Sequence, residues 1–254
     1  MELFDTHAHL FMKKKGVMSP EETIADARKN DVRYITSVAL NSDELDLSLA
    51  LAAADSEIFV AAGTHPHNAS QYSENFTNAI LENKSSISLF GEIGLDYHYN
   101  FSPPDIQKEI FALQLDIARE NKIPVMLHLR DAHDDALEIL SEHPASEGSV
   151  LHCYTSDAPT AKKFLDLGFY ISFSGIVTFP NASSVRDALS LMPLERILIE
   201  TDAPFLAPVP FRGRLCTVSM VKNTAEFISN FLAISLEKTA EITTINARKC
   251  ISGL

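Results

Sequence analysis

Eight short runs of β-branched and apolar residues recur along the chain, at residues 2–5, 32–39, 58–63, 87–91, 124–129, 149–153, 169–172 and 196–200. Each is bounded by Gly, Pro, Asn or Asp or by a change of periodicity, which marks short buried strands. Most pairs are separated by a segment with helical spacing. Ser19-Pro20-Glu21-Glu22 has the form of a capping box with proline at the first helical position. Pro104 opens a stretch whose apolar side runs through Phe111, Leu115 and Ala118. Asp157 and Pro159 precede Ala161, Phe164 and Leu165, after which Gly168 ends the helix and Phe169 begins the next strand. Strands that alternate with helices form a parallel sheet.

Eight such units in 254 residues match a (β/α)8 TIM barrel of about 250 residues. The competing architecture, an open doubly wound sheet, gathers its ligands at one crevice where strand order reverses. Here His7 and His9 follow the first run, Glu92 the fourth, His128 lies at the end of the fifth, His152 at the end of the sixth, and Asp202 follows the eighth. Only a closed barrel brings those strand ends around one axis. The chain is therefore expected to be α/β, one TIM-barrel domain over residues 1–254.

Bulk properties fit such a domain. The chain is 46% hydrophobic and 22% charged, with no repeat or low-complexity tract. No apolar stretch reaches the roughly 18 residues a membrane helix needs, and His7 lies too early for a signal peptide to precede it, so a cytoplasmic location without membrane association is expected. Three cysteines without CxxC spacing argue against a disulfide framework or a thiolate zinc site. A net charge of −13 opposes a broad nonspecific nucleic-acid footprint, but not a small pocket for a terminal nucleotide whose potential bound cations would reverse. No stable protein partner can be inferred.

The candidate residues have coherent chemistry. Residues i and i+2 of a strand point the same way, so His7 and His9 can present two imidazoles to one ion. Borderline cations accept imidazole and carboxylate together. Glu92 lies between Gly91 and Gly94, which permit close backbone approach, and a carboxylate with two oxygens is the natural bridge of a two-metal hydrolase. Asp202 can accept a proton from an attacking water. Any one of these has an ordinary structural explanation, such as a hydrogen-bonded loop pair, a turn cap or a core histidine. Six at equivalent strand ends point to one site.

Asp5-Thr6-His7-Ala8-His9, Gly63-Thr64-His65-Pro66-His67, the segment 91–97, His128-Leu129-Arg130-Asp131-Ala132, His152-Cys153, the segment 174–179 and Glu200-Thr201-Asp202-Ala203-Pro204 together resemble the TatD family of metal-dependent deoxyribonucleases. The resemblance implies a TIM barrel of the metal-dependent hydrolase type, one or two divalent cations (Zn²⁺, Mg²⁺ or Mn²⁺) and hydrolysis of phosphodiester bonds, often from a DNA end. By matched position His7, His9, Glu92, His128, His152 and Asp202 take the ligand roles, with Glu92 as bridge and Asp202 as general base. One ion would lie among His7, His9, Glu92 and Asp202, the other among Glu92, His128 and His152. His65 and His67 are assigned to the substrate phosphate, as are Arg130, whose guanidinium fork suits phosphate, and Arg212 with Arg214. His98, His133 and His143 are read as surface residues. Two departures affect substrate choice: Cys216-Thr217-Val218 stands where the family carries Asn-Glu-Pro, and Tyr154-Thr155-Ser156 where a glycine often follows. The alternatives are a non-nuclease hydrolase of the same superfamily, acting on an ester, lactone, amide or D-aminoacyl-tRNA, and a binding protein with impaired catalysis.

Overall fold

The eight runs form eight strands in the computed structural model, which describes residues 1–99 and 101–252: β1 (Leu3–Ala8), β2 (Val32–Ala39), β3 (Ile58–Ala62), β4 (Leu89–Asp96), β5 (Val125–Arg130), β6 (Val150–Leu151), β7 (Tyr170–Phe173) and β8 (Ile197–Ile199). The last two residues of the expected domain, 253–254, lie outside the described residues. All neighbours pair in parallel and in chain order. The sheet nearly closes on itself. Asp202 N–H donates to the His7 carbonyl at 3.0 Å, His9 N–H to the Ala203 carbonyl at 2.8 Å, and the Thr6 hydroxyl to the Ile199 carbonyl at 3.0 Å.

Helices fill the crossovers, α1 (Pro20–Lys29), α2 (Ser42–Ala54), α3 (Glu74–Glu82), α4 (Pro104–Asn121), α5 (His133–Glu142), α6 (Ala158–Asp166) and α7 (Ser183–Ser190), and two more follow β8, α8 (Val221–Phe231) and α9 (Leu236–Ala247). Their boundaries follow the cap residues. Ser19 caps α1 through a reciprocal capping box, its hydroxyl accepting from Glu22 N–H while the Glu22 carboxylate accepts from Ser19 N–H. Asp157 caps α6 by accepting from Thr160 N–H at 3.0 Å. In α4 the buried side falls on Gln107, Phe111, Leu115 and Ala118, the helical stripe that packs on the sheet.

Two apolar layers result. Phe4, Val38, Ala61, Leu89, Met126, Val150, Tyr170 and Leu198, one residue from each strand, form a cluster with Ala247, Cys250 and Ile251, so the end of α9 and the turn Arg248–Ser252 cap the floor of the barrel interior. The larger layer, including Ile35, Phe90, Phe111, Leu115 and Phe164, lies between strands and helices. Truncating a buried phenylalanine of either layer to alanine costs about 3–5 kcal/mol.

Three strands run past the apolar runs into polar residues. β1 continues past Asp5 to Ala8, β4 past Gly91 to Asp96, and β5 to Arg130. Polar residues extend these strands because barrel neighbours satisfy them at the mouth. Pairing register breaks between Asp5 and Ala8 and between Phe90 and Ile93, which places His7 and Glu92 at local irregularities. Only glycine fits beside Glu92: a Cβ on Gly91 would lie 2.4 Å from the Met126 carbonyl oxygen, and one on Gly94, at φ +139°, 2.1 Å from that of His128.

Candidate metal centre

The C-terminal mouth of the barrel gathers the six expected residues around the Glu92 carboxylate, which is 2% exposed. Its two oxygens face different partners. On the Oε2 side, His7 Nε2 is 3.5 Å away and His9 Nε2 3.7 Å. Asp202 Oδ1 completes this group, 3.6 Å from His7 Nε2 and 3.4 Å from His9 Nε2, with the two imidazole nitrogens 3.3 Å apart. On the Oε1 side, His128 Nδ1 and His152 Nε2 each approach to 2.8 Å and stand 3.2 Å from one another.

These spacings bear on whether a cation fits. Ligands about 2.0–2.1 Å from a tetrahedral ion lie about 3.4 Å apart. The separations among His7, His9 and Asp202, 3.3 to 3.6 Å, are close to that edge, so these three donors flank a space of ionic size, with Glu92 Oε2 3.5 and 3.7 Å from the two imidazoles. Three overlapping groups, His7/Glu92/His152, His7/His9/Asp202 and His65/Glu92/His128, each have ligand atoms within 4.8 Å of one another. The Oε1 side is tighter and is drawn together by direct hydrogen bonds.

Neighbouring residues hold these groups in place. Asp5 accepts from Thr201 N–H at 2.9 Å, from the Thr201 hydroxyl and from His7 N–H at 3.3 Å, fastening β1 to the segment after β8 and so His7 to Asp202. His7 Nδ1 rests 3.1 Å from Met126 Sδ of the interior layer. Glu200, fully buried, lies 3.2 Å from His152 Nδ1 and fixes that ring. Asp96 Oδ2 meets His128 Nε2 at 3.0 Å and His67 Nε2 at 2.9 Å. Asp5, Asp96 and Glu200 escaped the sequence reading, although Asp96 lies four residues along β4 from Glu92 and Glu200 two before Asp202. His9 Nδ1 is buried with no hydrogen-bond partner among the described residues, beside a cavity of about 40 Å³ lined also by Cys216 and Thr217, where the sequence departs from Asn-Glu-Pro.

Charge in the centre is shared unequally. Burial opposes ionisation of Glu92, but His152, His65 and His7 and the hydrogen bond from His128 outweigh it and hold its carboxyl well below the ordinary range. Burial likewise opposes protonation of His152, yet Glu92 and Glu200 raise its pKa well above the ordinary value. His128 and His9 are raised too, against burial, by Asp96 and Glu92 and by Asp202 and Glu92 respectively. Desolvation dominates at His7 and His65, lowering each to about 4.

The sequence-assigned substrate residues separate into three places. His65, 7% exposed, sits 3.5 Å from Glu92 Oε1 and belongs to the donor cluster rather than to the outer rim. His67 and Arg130 do line the cleft above the centre, a space of about 780 Å³, and Arg130 lies over the Tyr99 ring at 5.1 Å. Arg212 and Arg214 line an adjoining groove instead. Among the other histidines, His98 is exposed, whereas His133 is partly buried beside Tyr154 and Phe164, and His143 is partly buried against Asp116 at 2.8 Å.

The profile of the family described as TatD related DNase matches residues 4–252. The chain belongs to the TatD family. Its relatives include the uncharacterized metal-dependent hydrolase YabD of Bacillus subtilis, 38% identical over 250 residues that span 97% of this chain and 98% of YabD. The uncharacterized metal-dependent hydrolase YcfH of Escherichia coli K12 is 39% identical over 250 residues, spanning 97% of this chain and 94% of its own. The crystal structure of YjjV, a TatD homologue from Escherichia coli K12, superposes with a TM-score of 0.90 at 25% identity over 98% of both chains. A hydrolase of the TatD family from Entamoeba histolytica, 17% identical, shares the fold with a TM-score of 0.84 over 98% of both chains. This TatD-family chain is accordingly a metal-dependent hydrolase, and its His and carboxylate clusters can hold metal. Among the described residues no helix is long and apolar enough to cross a membrane.

Proposed function

We propose that this TatD-family hydrolase cleaves phosphodiester bonds at the end of a DNA strand, using two divalent cations that share Glu92. The partition of the Glu92 oxygens carries the reading: Oε2 faces His7 and His9 beside Asp202, and Oε1 faces His128, His152 and His65. When bound, such cations supply an acidified water and neutralise charge on a phosphorane-like transition state. The chain's own residues do the rest. Asp202 Oδ1, at the edge of the cleft with 15% of its side chain exposed, accepts the water's proton. His67 and Arg130 meet the phosphate from the rim. Phe101, stacked on Tyr99 at 5.5 Å between ring centroids and 67% exposed, offers a terminal base an aromatic face.

The two half-sites differ in readiness. The His7/His9/Asp202 side has cation-sized spacing as it stands and one imidazole, His9, that binds its proton more tightly than usual, whereas on the other side both His128 and His152 do so against Glu92 and must release their protons. Two unequal affinities are expected, the tighter at His7 and His9. A carbonyl substrate, the competing reading, accords with the acidic surface but leaves the basic and aromatic rim without a role. The test is hydrolysis of end-labelled single-stranded DNA by metal-stripped protein refilled with Mg²⁺, Mn²⁺ or Zn²⁺, with Asp202→Asn as control. Stepwise loss of terminal nucleotides, abolished in the control, upholds the reading; no cleavage by fully metallated protein transfers it to carbonyl esters and amides.

A further inference from the structure

Beside the metal cleft runs a second groove of about 390 Å³, lined by Lys14, Phe179, Phe205, Arg212 and Arg214 among others, with no carboxylate in its wall. That is unusual on a chain of net charge −13. Phe205 and Leu206 line both spaces, so a single wall separates the groove from the centre, and Phe205 N–H donates to the Asp202 carbonyl at 2.8 Å. Lys14, Arg212 and Arg214 are exposed and make no ion pair with a carboxylate among the described residues. Two of them are held by rings instead: Lys14 Nζ stands 4.8 Å over Phe205, and the Arg212 guanidinium 4.4 Å over Phe179.

We propose that this groove is the track for the phosphate backbone of a single-stranded polynucleotide extending from the bond at the metal centre. The proposal rests on the phosphodiester reading above and adds where the rest of the strand lies. The two phenylalanine faces are already occupied by cations, so they set the spacing of positive charge rather than stack bases. Recognition in the groove is therefore of backbone charge and indifferent to sequence. A short, carboxylate-free cationic strip focuses attraction locally while the chain's net charge of −13 repels a strand elsewhere. This confines binding to a strand that passes the mouth of the barrel and reconciles an acidic protein with a polyanionic substrate.

The test compares metal-loaded wild type with Lys14→Ala/Arg212→Ala/Arg214→Ala and with Lys13→Ala/Lys15→Ala. The second variant removes exposed lysines that flank Lys14 in sequence but do not line the groove. Fluorescence anisotropy with phosphorothioate oligothymidylates, which resist cleavage, measures binding of a dinucleotide and of a longer strand. In wild type the longer strand binds more tightly. In the triple variant that gain falls about tenfold, and the slope of log K against log salt drops by about 2, since each single-strand phosphate contact accounts for about 0.7. The Lys13/Lys15 variant keeps most of the gain.

Kinetics with cleavable strands separate this claim from the one it rests on. The triple variant should lose kcat/KM chiefly through KM, and more on the longer strand than on the dinucleotide. Wild-type binding that does not grow with length, a triple variant equal to wild type, or an equal loss in the Lys13/Lys15 variant overturns the groove, even if the dinucleotide is cleaved. Length-dependent binding through the three cations without hydrolysis of either substrate upholds the groove and refutes the phosphodiester reading.

Discussion

Replacing Glu92 by Gln in the metal-stripped protein removes the one negative charge that both halves of the centre share. Each oxygen serves a different set of imidazoles, and His152, His128 and His9 all hold protons more tightly because of it. Removing one partner of a buried ion pair costs about 3–5 kcal/mol. For a chain of this size each kcal/mol moves the melting temperature by roughly 2–4 °C, so a fall of about 10 °C is expected. The loss should depend on pH. The Glu92 carboxyl is lowered from 4.5, so its contribution is present above that value and fades as pH falls through the folded value. The raised histidines start from 6.5, so theirs is complete below 6.5 and fades as pH rises through their folded values. The gap between wild type and variant is therefore widest between about pH 4.5 and 6.5 and narrows above. Thermal melts of both apo-proteins across pH check this. A gap that is constant with pH, or below about 1 kcal/mol, would refute the shared-charge account.

Other consequences follow from the same geometry. Metal uptake should release protons and weaken as pH falls from 8 towards 6, because His152, His128 and His9 must deprotonate to serve as ligands; titration calorimetry in buffers of different ionisation heat counts the protons. His7→Ala/His9→Ala should reduce metal content measured by plasma emission, and unchanged content would remove these residues from the ligand set. Gly94→Ala should destabilise by about 3 kcal/mol or more and displace His128, since the added Cβ meets its carbonyl; denaturant melts of the apo-protein read the loss. Thr217→Glu places a carboxylate in the small cavity beside the unpartnered His9 Nδ1 and should tighten metal binding about tenfold, read by competition with a chelating dye.

The barrel was legible because each strand announces itself locally. A short apolar run bounded by breakers needs no knowledge of its partners, and the caps at Ser19 and Asp157 mark helix starts by side-chain chemistry alone. Strand ends were less legible. Glu92 lies inside β4 rather than beyond it, because Gly91 and Gly94 let β5 approach so closely that pairing continues through a polar segment. The convergence of His7, His9, Glu92, His128, His152 and Asp202 could be foreseen from their equivalent positions in successive units. The depth of His65 could not: it depends on how the loop after β3 folds inward over β4. The supporting carboxylates Asp5, Asp96 and Glu200 were missed for a related reason, since each is recognisable only by the imidazole or backbone it meets on another strand.

The most direct test of the central claim, that Glu92 divides the centre into two cation sites, is a crystal grown with Mn²⁺ and measured at its absorption edge. Two anomalous peaks are expected, one between Glu92 Oε2 and the His7/His9/Asp202 group and a weaker one between Oε1 and His128 with His152 or His65. A single peak away from Glu92, or none within bonding distance of its carboxylate, would contradict it.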